Sequence, residues 1–141
     1  MRRFDFRRLF LLPALLVAGL AAGCGDDNST TIPVTPPVTL SDTFSGSVGV
    51  NGAFSHTFEV TRAGTVIAQI TGLTPDDTVT VGFALGTWNG AACQLVITND
   101  AAKVTTTILG TATAPGTLCV RVSDVGQLSA PTSYDLKVDH Y

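Results

Sequence analysis

Histidine, serine and aspartate are the residue types on which hydrolytic catalysis depends, and the sequence does not space them for it. A Ser–His–Asp triad needs a histidine within hydrogen-bonding reach of a serine. Of the two histidines, His56 alternates with phenylalanines and is expected on a buried strand face, whereas His140 is predicted in a poorly ordered end. The sequence contains no Gly-x-Ser-x-Gly turn, His-Glu-x-x-His motif or phosphate-binding glycine loop. It therefore predicts a protein that is not an enzyme.

Two further positions have side chains suited to ligand binding. Asp76 and Asp77 are adjacent in a turn that follows a proline, and a Ca²⁺ ion, with its about six to eight oxygen ligands, would relieve their repulsion. The favoured alternative is a solvated turn in which Asp76 caps its own backbone. Trp88 and Asn89 lie in a predicted loop and could stack on and hydrogen-bond to a sugar. Here the favoured alternative is a tryptophan folded over the end of a sheet.

Cys24 follows a segment with the features of an export signal. Four arginines precede an apolar run over 9–20, which is shorter than the roughly 20 residues that span a bilayer. The sequence therefore predicts a cleaved signal over 1–23. Residues 7–11 (RRLFL) also fit a twin-arginine signal, although a generic basic segment is the preferred interpretation.

The residues around the predicted cleavage point, 20–24 (LAAGC), resemble the lipobox of bacterial lipoprotein signal peptides. The resemblance implies that the Cys24 thiol takes a diacylglycerol and that the new amino terminus is acylated, so that palmitate-type chains hold the protein in a lipid bilayer. Gly25, rather than an aspartate, follows the cysteine, which favours the outer over the inner membrane. The alternative is an ordinary secretory signal with a chance cysteine.

Composition and charge exclude several classes of partner. The chain has 141 residues, of which 45% are hydrophobic and 13% charged, and a formal net charge of −3. Loss of residues 1–23 leaves four basic and ten acidic residues, a net charge of −6. Because acidic surfaces are repelled by phosphate, neither nucleic acid nor anionic head groups are expected partners.

Once Cys24 is assigned to lipid, Cys93 and Cys119 remain as a pair. In an exported chain they predict a disulfide that adds roughly 3–4 kcal/mol, with two free thiols as the alternative. Strand alternation places Cys119 on a solvent face and Cys93 on an apolar face. The bond therefore works only if Cys93 lies before the strand becomes regular or at a β-bulge. A metal site is not expected, because the cysteines and histidines lack ligand spacing.

Alternating apolar and polar residues predict the elements that position these side chains. Residues 24–39 carry the lipidated cysteine and a proline-rich disordered tether. Residues 40–141 are predicted to form an all-β domain, an antiparallel two-sheet β-sandwich of jelly-roll type with about eight strands. The expected strands span 42–48, 53–60, 65–71, 78–85, 92–98, 103–109, 117–123 and 134–139.

Three stretches of the predicted sandwich, 56–66, 115–122 (PGTLCVRV) and 133–138 (SYDLKV), resemble the strand patterns of bacterial pre-peptidase C-terminal domains. That resemblance implies a small jelly-roll accessory module without catalysis of its own. The resulting hypothesis is a lipoprotein of the cell envelope with a non-catalytic binding module. The alternatives are a carbohydrate-binding module that uses Trp88 and a structural envelope component that binds a protein partner through an exposed sheet edge.

Overall fold

A computed structural model describes residues 38–141, and all regular structure in that range is β-strand. Over the same range no helix is long and apolar enough to cross a membrane. The export signal, Cys24 and most of the predicted tether lie outside the described residues. The strands are β1 (Leu40–Val48), β2 (Ala53–Val60), β3 (Gly64–Thr74), β4 (Val81–Trp88), β5 (Cys93–Ala102), β6 (Thr107–Ala112), β7 (Gly116–Ser123) and β8 (Thr132–His140).

The strands form two antiparallel four-stranded sheets, ordered β1-β8-β3-β6 and β2-β7-β4-β5. This is the strand order of a jelly roll, so the predicted fold class is confirmed. Each sheet has two edges, and the edge strands lie over one another in pairs. The sandwich therefore has two open sides, which we call the β1/β2 side and the β5/β6 side.

The core lies between the sheets and is built from alternate residues of each strand. In β8, for example, Tyr134, Leu136 and Val138 are buried while Asp135 and Lys137 are exposed. Each large apolar side chain removed from water stabilises the fold by about 1.5–3 kcal/mol. The buried set includes Val48, Phe58, Val66, Ile70, Phe83, Val120 and Val122.

Two strands begin later than the sequence pattern predicts, because the residues before them form turns. The predicted strand at 78 starts at Val81, since both the amide and the hydroxyl of Thr78 donate to Asp76. The predicted strand at 103 starts at Thr107, since the Thr106 amide donates to the Lys103 carbonyl. Both turns satisfy backbone groups that a strand would have paired.

The prediction that His140 lies in a poorly ordered end is wrong. His140 is the last residue of β8 and is only 2% exposed. Its Nε2 lies 3.0 Å from Asp42 Oδ2 on β1, and the next residue, Tyr141, accepts a hydrogen bond from the Thr61 amide. These contacts order the end of the chain. Phe54 also differs from the expectation: it is 51% exposed, because β2 is an edge strand and Phe54 lies near its open end.

Candidate functional site

The turn that contains Asp76 and Asp77 satisfies its own polar groups. Asp76 Oδ1 accepts hydrogen bonds from the Thr78 hydroxyl at 2.7 Å and the Thr78 amide at 2.8 Å. These bonds lower the pKa of the Asp76 carboxyl. Nowhere in residues 38–141 do three or more His, Cys, Asp or Glu side chains gather as metal ligands would. The turn therefore matches the expected backbone cap, and the calcium site stays a prediction.

Trp88 and Asn89 close the β4–β5 hairpin. Trp88 is the last residue of β4, is partly buried and pairs with Cys93. Asn89 Oδ1 accepts hydrogen bonds from the amides of Ala91 and Ala92 at 2.9 and 2.8 Å. The side-chain oxygen of Asn89 therefore stabilises the loop and already accepts two hydrogen bonds. Sugar binding here stays a prediction that depends on the Trp88 ring.

The disulfide between Cys93 and Cys119 is confirmed. The register explains how the two cysteines come to share a face: Gly86 pairs with Leu95, but the preceding Leu85 pairs with Ile97. The residue left over, Val96, forms a β-bulge, which reverses the alternation and turns Cys93 to the outer face of the sheet. Cys119 is fully buried there, although the alternation predicted it in solvent.

Gly86 is the residue that lets β5 come close enough for this bond. A Cβ atom at Gly86 would collide with the backbone carbonyl of Gln94 in β5. Because Gly86 has no side chain, the first residues of β5 can pass over β4 at this point. The Cα atoms of Cys93 and Cys119 are then 5.8 Å apart. The disulfide therefore holds the β5 edge against β7.

On the β5/β6 side, a cavity of about 80 Å³ opens between the two sheets. It is small beside the roughly 300–1,000 Å³ of drug-sized ligand sites, and is about half of a cavity that holds benzene. Its size suits a single branched aliphatic side chain. The wall is mainly aliphatic and contains no charged group: Val66, Leu85, Gly86, Thr87, Val96, Ile97, Gly110, Thr111 and Leu118.

The β5/β6 side exposes two apolar side chains that sequence reasoning did not single out: Val96, which lines the cavity, and Leu109, which lies on the outer face of β6. Val96 is 71% exposed and Leu109 is 65% exposed. From residue 93 to residue 112 the chain carries only two charges, Asp100 and Lys103, and β6 carries none. Natural edge strands are usually protected by charge, proline or a bulge. β5 has its bulge, but β6 has none of these protections. The sequence did contain one signal of this apolar surface, which is the absence of charged residues from β6.

The β1/β2 side is closed instead by an aromatic–histidine cluster, which consists of Phe44, Phe54, His56 and Tyr134. The His56 ring stacks on Phe44 with centroids 4.9 Å apart, and its Nε2 lies 3.0 Å from Tyr134 Oη. Burial lowers the pKa of His56 and raises that of Tyr134 to about 12. Both groups are therefore neutral at pH 7, and the cluster seals the edge without a buried charge.

Comparison with known proteins adds a likeness to a solved structure. No family model matches the chain, and no curated protein matches it. The crystal structure of Aeromonas hydrophila PliG, a periplasmic lysozyme inhibitor of g-type lysozyme, is similar at 17% sequence identity with a TM-score of 0.46. The match covers 70% of this chain and 85% of that one.

Proposed function

We propose that this protein is a lipoprotein of the cell envelope whose β-sandwich is a non-catalytic module for binding a protein partner. The lipobox resemblance supports an acylated Cys24 in the outer membrane, with residues 25–39 as the tether that holds the domain away from the bilayer. The β5/β6 side is the binding surface.

One observation carries this proposal: an uncharged, regular edge strand borders an aliphatic cavity that is open to solvent. An edge strand presents unpaired backbone N–H and C=O groups, to which an extended segment of another protein can add as a further strand. In this site β6 would supply the backbone hydrogen bonds.

The cavity beside β6 would supply selectivity. In strand addition, alternate side chains of the added segment point to opposite faces, so that every second residue meets the partner's pockets. A valine, leucine or isoleucine would enter the cavity next to Val96 and Leu118, which line it. A charged side chain at that position would lose its hydration without gaining a partner.

Site-specific photo-crosslinking in intact cells tests the binding surface. A benzophenone amino acid at position 96, on the rim of the cavity, is expected to give a protein adduct of defined mass. The same group at position 50 is the matched control, because Val50 is also an exposed valine, at 47%, but lies in the β1–β2 turn. Equal adducts from both positions, or none from position 96, would contradict the proposed binding surface.

Metabolic labelling with radioactive palmitate tests the anchor. The wild-type chain is expected to take up label, and Cys24→Ala to lose it and to leave the membrane fraction. A Cys93→Ala, Cys119→Ala variant keeps Cys24 and controls for loss of cysteine in general. Undiminished label in Cys24→Ala would end the lipoprotein assignment, whereas label confined to the inner membrane would end only the outer-membrane one.

A further inference from the structure

We infer that the partner that binds the β5/β6 side is a second copy of this chain, joined to the first by antiparallel pairing of β6 with β6. This inference rests on the proposed function and names its partner. It makes the binding surface a twofold-symmetric interface, in which the same patch of each copy meets the other.

The shape of the surface suits a twofold contact. Such a contact requires a patch that is complementary to itself, with projecting and receiving features side by side. The β5/β6 side has both, because the exposed Val96 lines the cavity that it would fill in the partner, and Leu109 projects from the outer face of β6 beside the edge that would pair. An edge strand that pairs with its own copy in antiparallel orientation also satisfies the twofold symmetry.

The two edge strands on this side are not equally able to pair. The registers of β5 against β4 shift between Val81 and Phe83 and again between Leu85 and Gly86. Such bulges twist an edge away from regular pairing. The six residues of β6 pair with β3 without a shift from Gln69–Thr107 to Gly64–Ala112. We therefore assign the pairing to β6, whose outer edge is the regular one.

Charge favours this side for contact between two copies and disfavours it for a basic partner. Residues 38–141 contain eight acidic and four basic residues, so the described domain has a net charge of −4. Two copies repel each other, and the repulsion is smallest where charge is absent. The segment 93–112 is neutral, since it contains only Asp100 and Lys103. A basic partner would be attracted to the acidic remainder of the surface rather than to this side, whereas a copy of this chain approaches with the least penalty here.

Sedimentation equilibrium measures the association directly. The sample is the chain from residue 24 with Cys24→Ser, which retains every strand of the sandwich. A concentration-dependent monomer–dimer equilibrium is expected. Leu109→Lys should raise the dissociation constant at least ~10-fold, because an unpaired charge enters the interface. Val50→Lys, which adds the same charge in the β1–β2 turn, should leave it within about twofold. A wild-type chain that stays monomeric at every concentration would overturn the inference, as would equal effects of the two lysines.

The mass of the crosslinked adduct separates this inference from the proposed function. An adduct of twice the chain mass from position 96 supports a second copy. An adduct with a different protein supports the proposed binding surface and overturns the inference about its partner. No adduct, together with a monomeric chain, overturns both. Circular dichroism of the Leu109→Lys chain controls for folding, and we expect a wild-type spectrum, because that side chain is 65% exposed.

Discussion

The two open sides of the sandwich differ in how the space between the sheets is covered. Each exposes one edge strand from each sheet, but the β1/β2 side is closed by rings and the β5/β6 side is left open around a cavity of about 80 Å³. The closed side also has side-chain pairs along its outer strand, with Ser41 bonded to Asp139 and Ser45 to Asp135. The open side has almost no charge.

The two sides are also stabilised by different interactions. On the β1/β2 side, the His56–Tyr134 hydrogen bond and the stacked rings occupy the space between the sheets. On the β5/β6 side, a disulfide fixes β5 from outside while the space between the sheets stays unfilled. A surface that is fixed by a covalent bond and incompletely packed is consistent with the proposed binding surface.

Removal of the disulfide is expected to have the largest effect on this contrast. The Cys93→Ser, Cys119→Ser variant should lose about 3–4 kcal/mol of unfolding free energy, because the unfolded chain is no longer closed into a loop. Urea denaturation measures the loss, and hydrogen exchange should show an additional local loss of protection in β5, because the bond no longer holds β5 against β7. Cys24→Ser alone is the control. An unchanged urea midpoint, or uniform loss of protection, would show that the disulfide does not support the open side in particular.

Two glycine substitutions compare close packing on the two sides. Gly86→Ala places a Cβ against the Gln94 backbone, which cannot rotate away, and should cost about 2–3 kcal/mol. Gly46→Ala places a Cβ against the end of the Tyr134 ring, a side chain that can shift, and should cost about 1–2 kcal/mol. Gly116→Ala is the control, since nothing lies within 4 Å of the added carbon. Thermal unfolding of the three variants checks the order, and a larger loss for Gly46→Ala would reverse the argument.

Alkaline pH should destabilise the closed side through Tyr134. Burial raises its pKa from 10.0 to about 12, so the folded protein holds the phenolic proton more tightly than the unfolded chain. The resulting stabilisation is complete below pH 10 and is lost as the pH rises towards about 12, on the order of 2 kcal/mol in total. Tyr134→Phe should abolish this dependence at a cost of about 1 kcal/mol at neutral pH. Tyr141→Phe is the matched control. A loss of stability at alkaline pH that persists in Tyr134→Phe would show that another group causes it.

The smallest expected effect is that of mild acid on His56. Its pKa is lowered by burial, so the unfolded chain binds a proton more readily than the folded one as the pH falls below about 6.5. Stability should therefore fall by less than about 1 kcal/mol between pH 7.5 and 5.5, because the ring is only half buried. Urea midpoints at the two pH values measure the change. The His56→Phe chain should not show it, and a midpoint that rises in acid would contradict the argument.

Local pattern was enough to predict the sandwich, because alternation in stretches such as 132–140 reports directly which residues face a core. The pair of cysteines left in an exported chain predicted the disulfide, and alternation showed that Cys93 must lie before the regular strand or at a bulge; the bulge lies at Val96. The order of the strands depends on pairing between distant segments, which alternation does not encode. For that reason Val96 and Leu109 were not expected on the same open side. Nor was the buried His140 expected to contact Asp42, which lies near the other end of the sequence.

One contact of Arg62 bears on how the domain would respond to a pull on the tether proposed for residues 25–39. The Arg62 guanidinium donates to the Val38 carbonyl and lies over the Tyr141 ring, so both ends of the domain meet at the β2–β3 turn. Tension on the chain before Val38 enters at the first residue of β1 and runs along that strand. The nine paired residues of β1 and β8 then bear the load together, in shear. A domain loaded in this way would resist unfolding by such a pull, because all the β1–β8 pairs must break together.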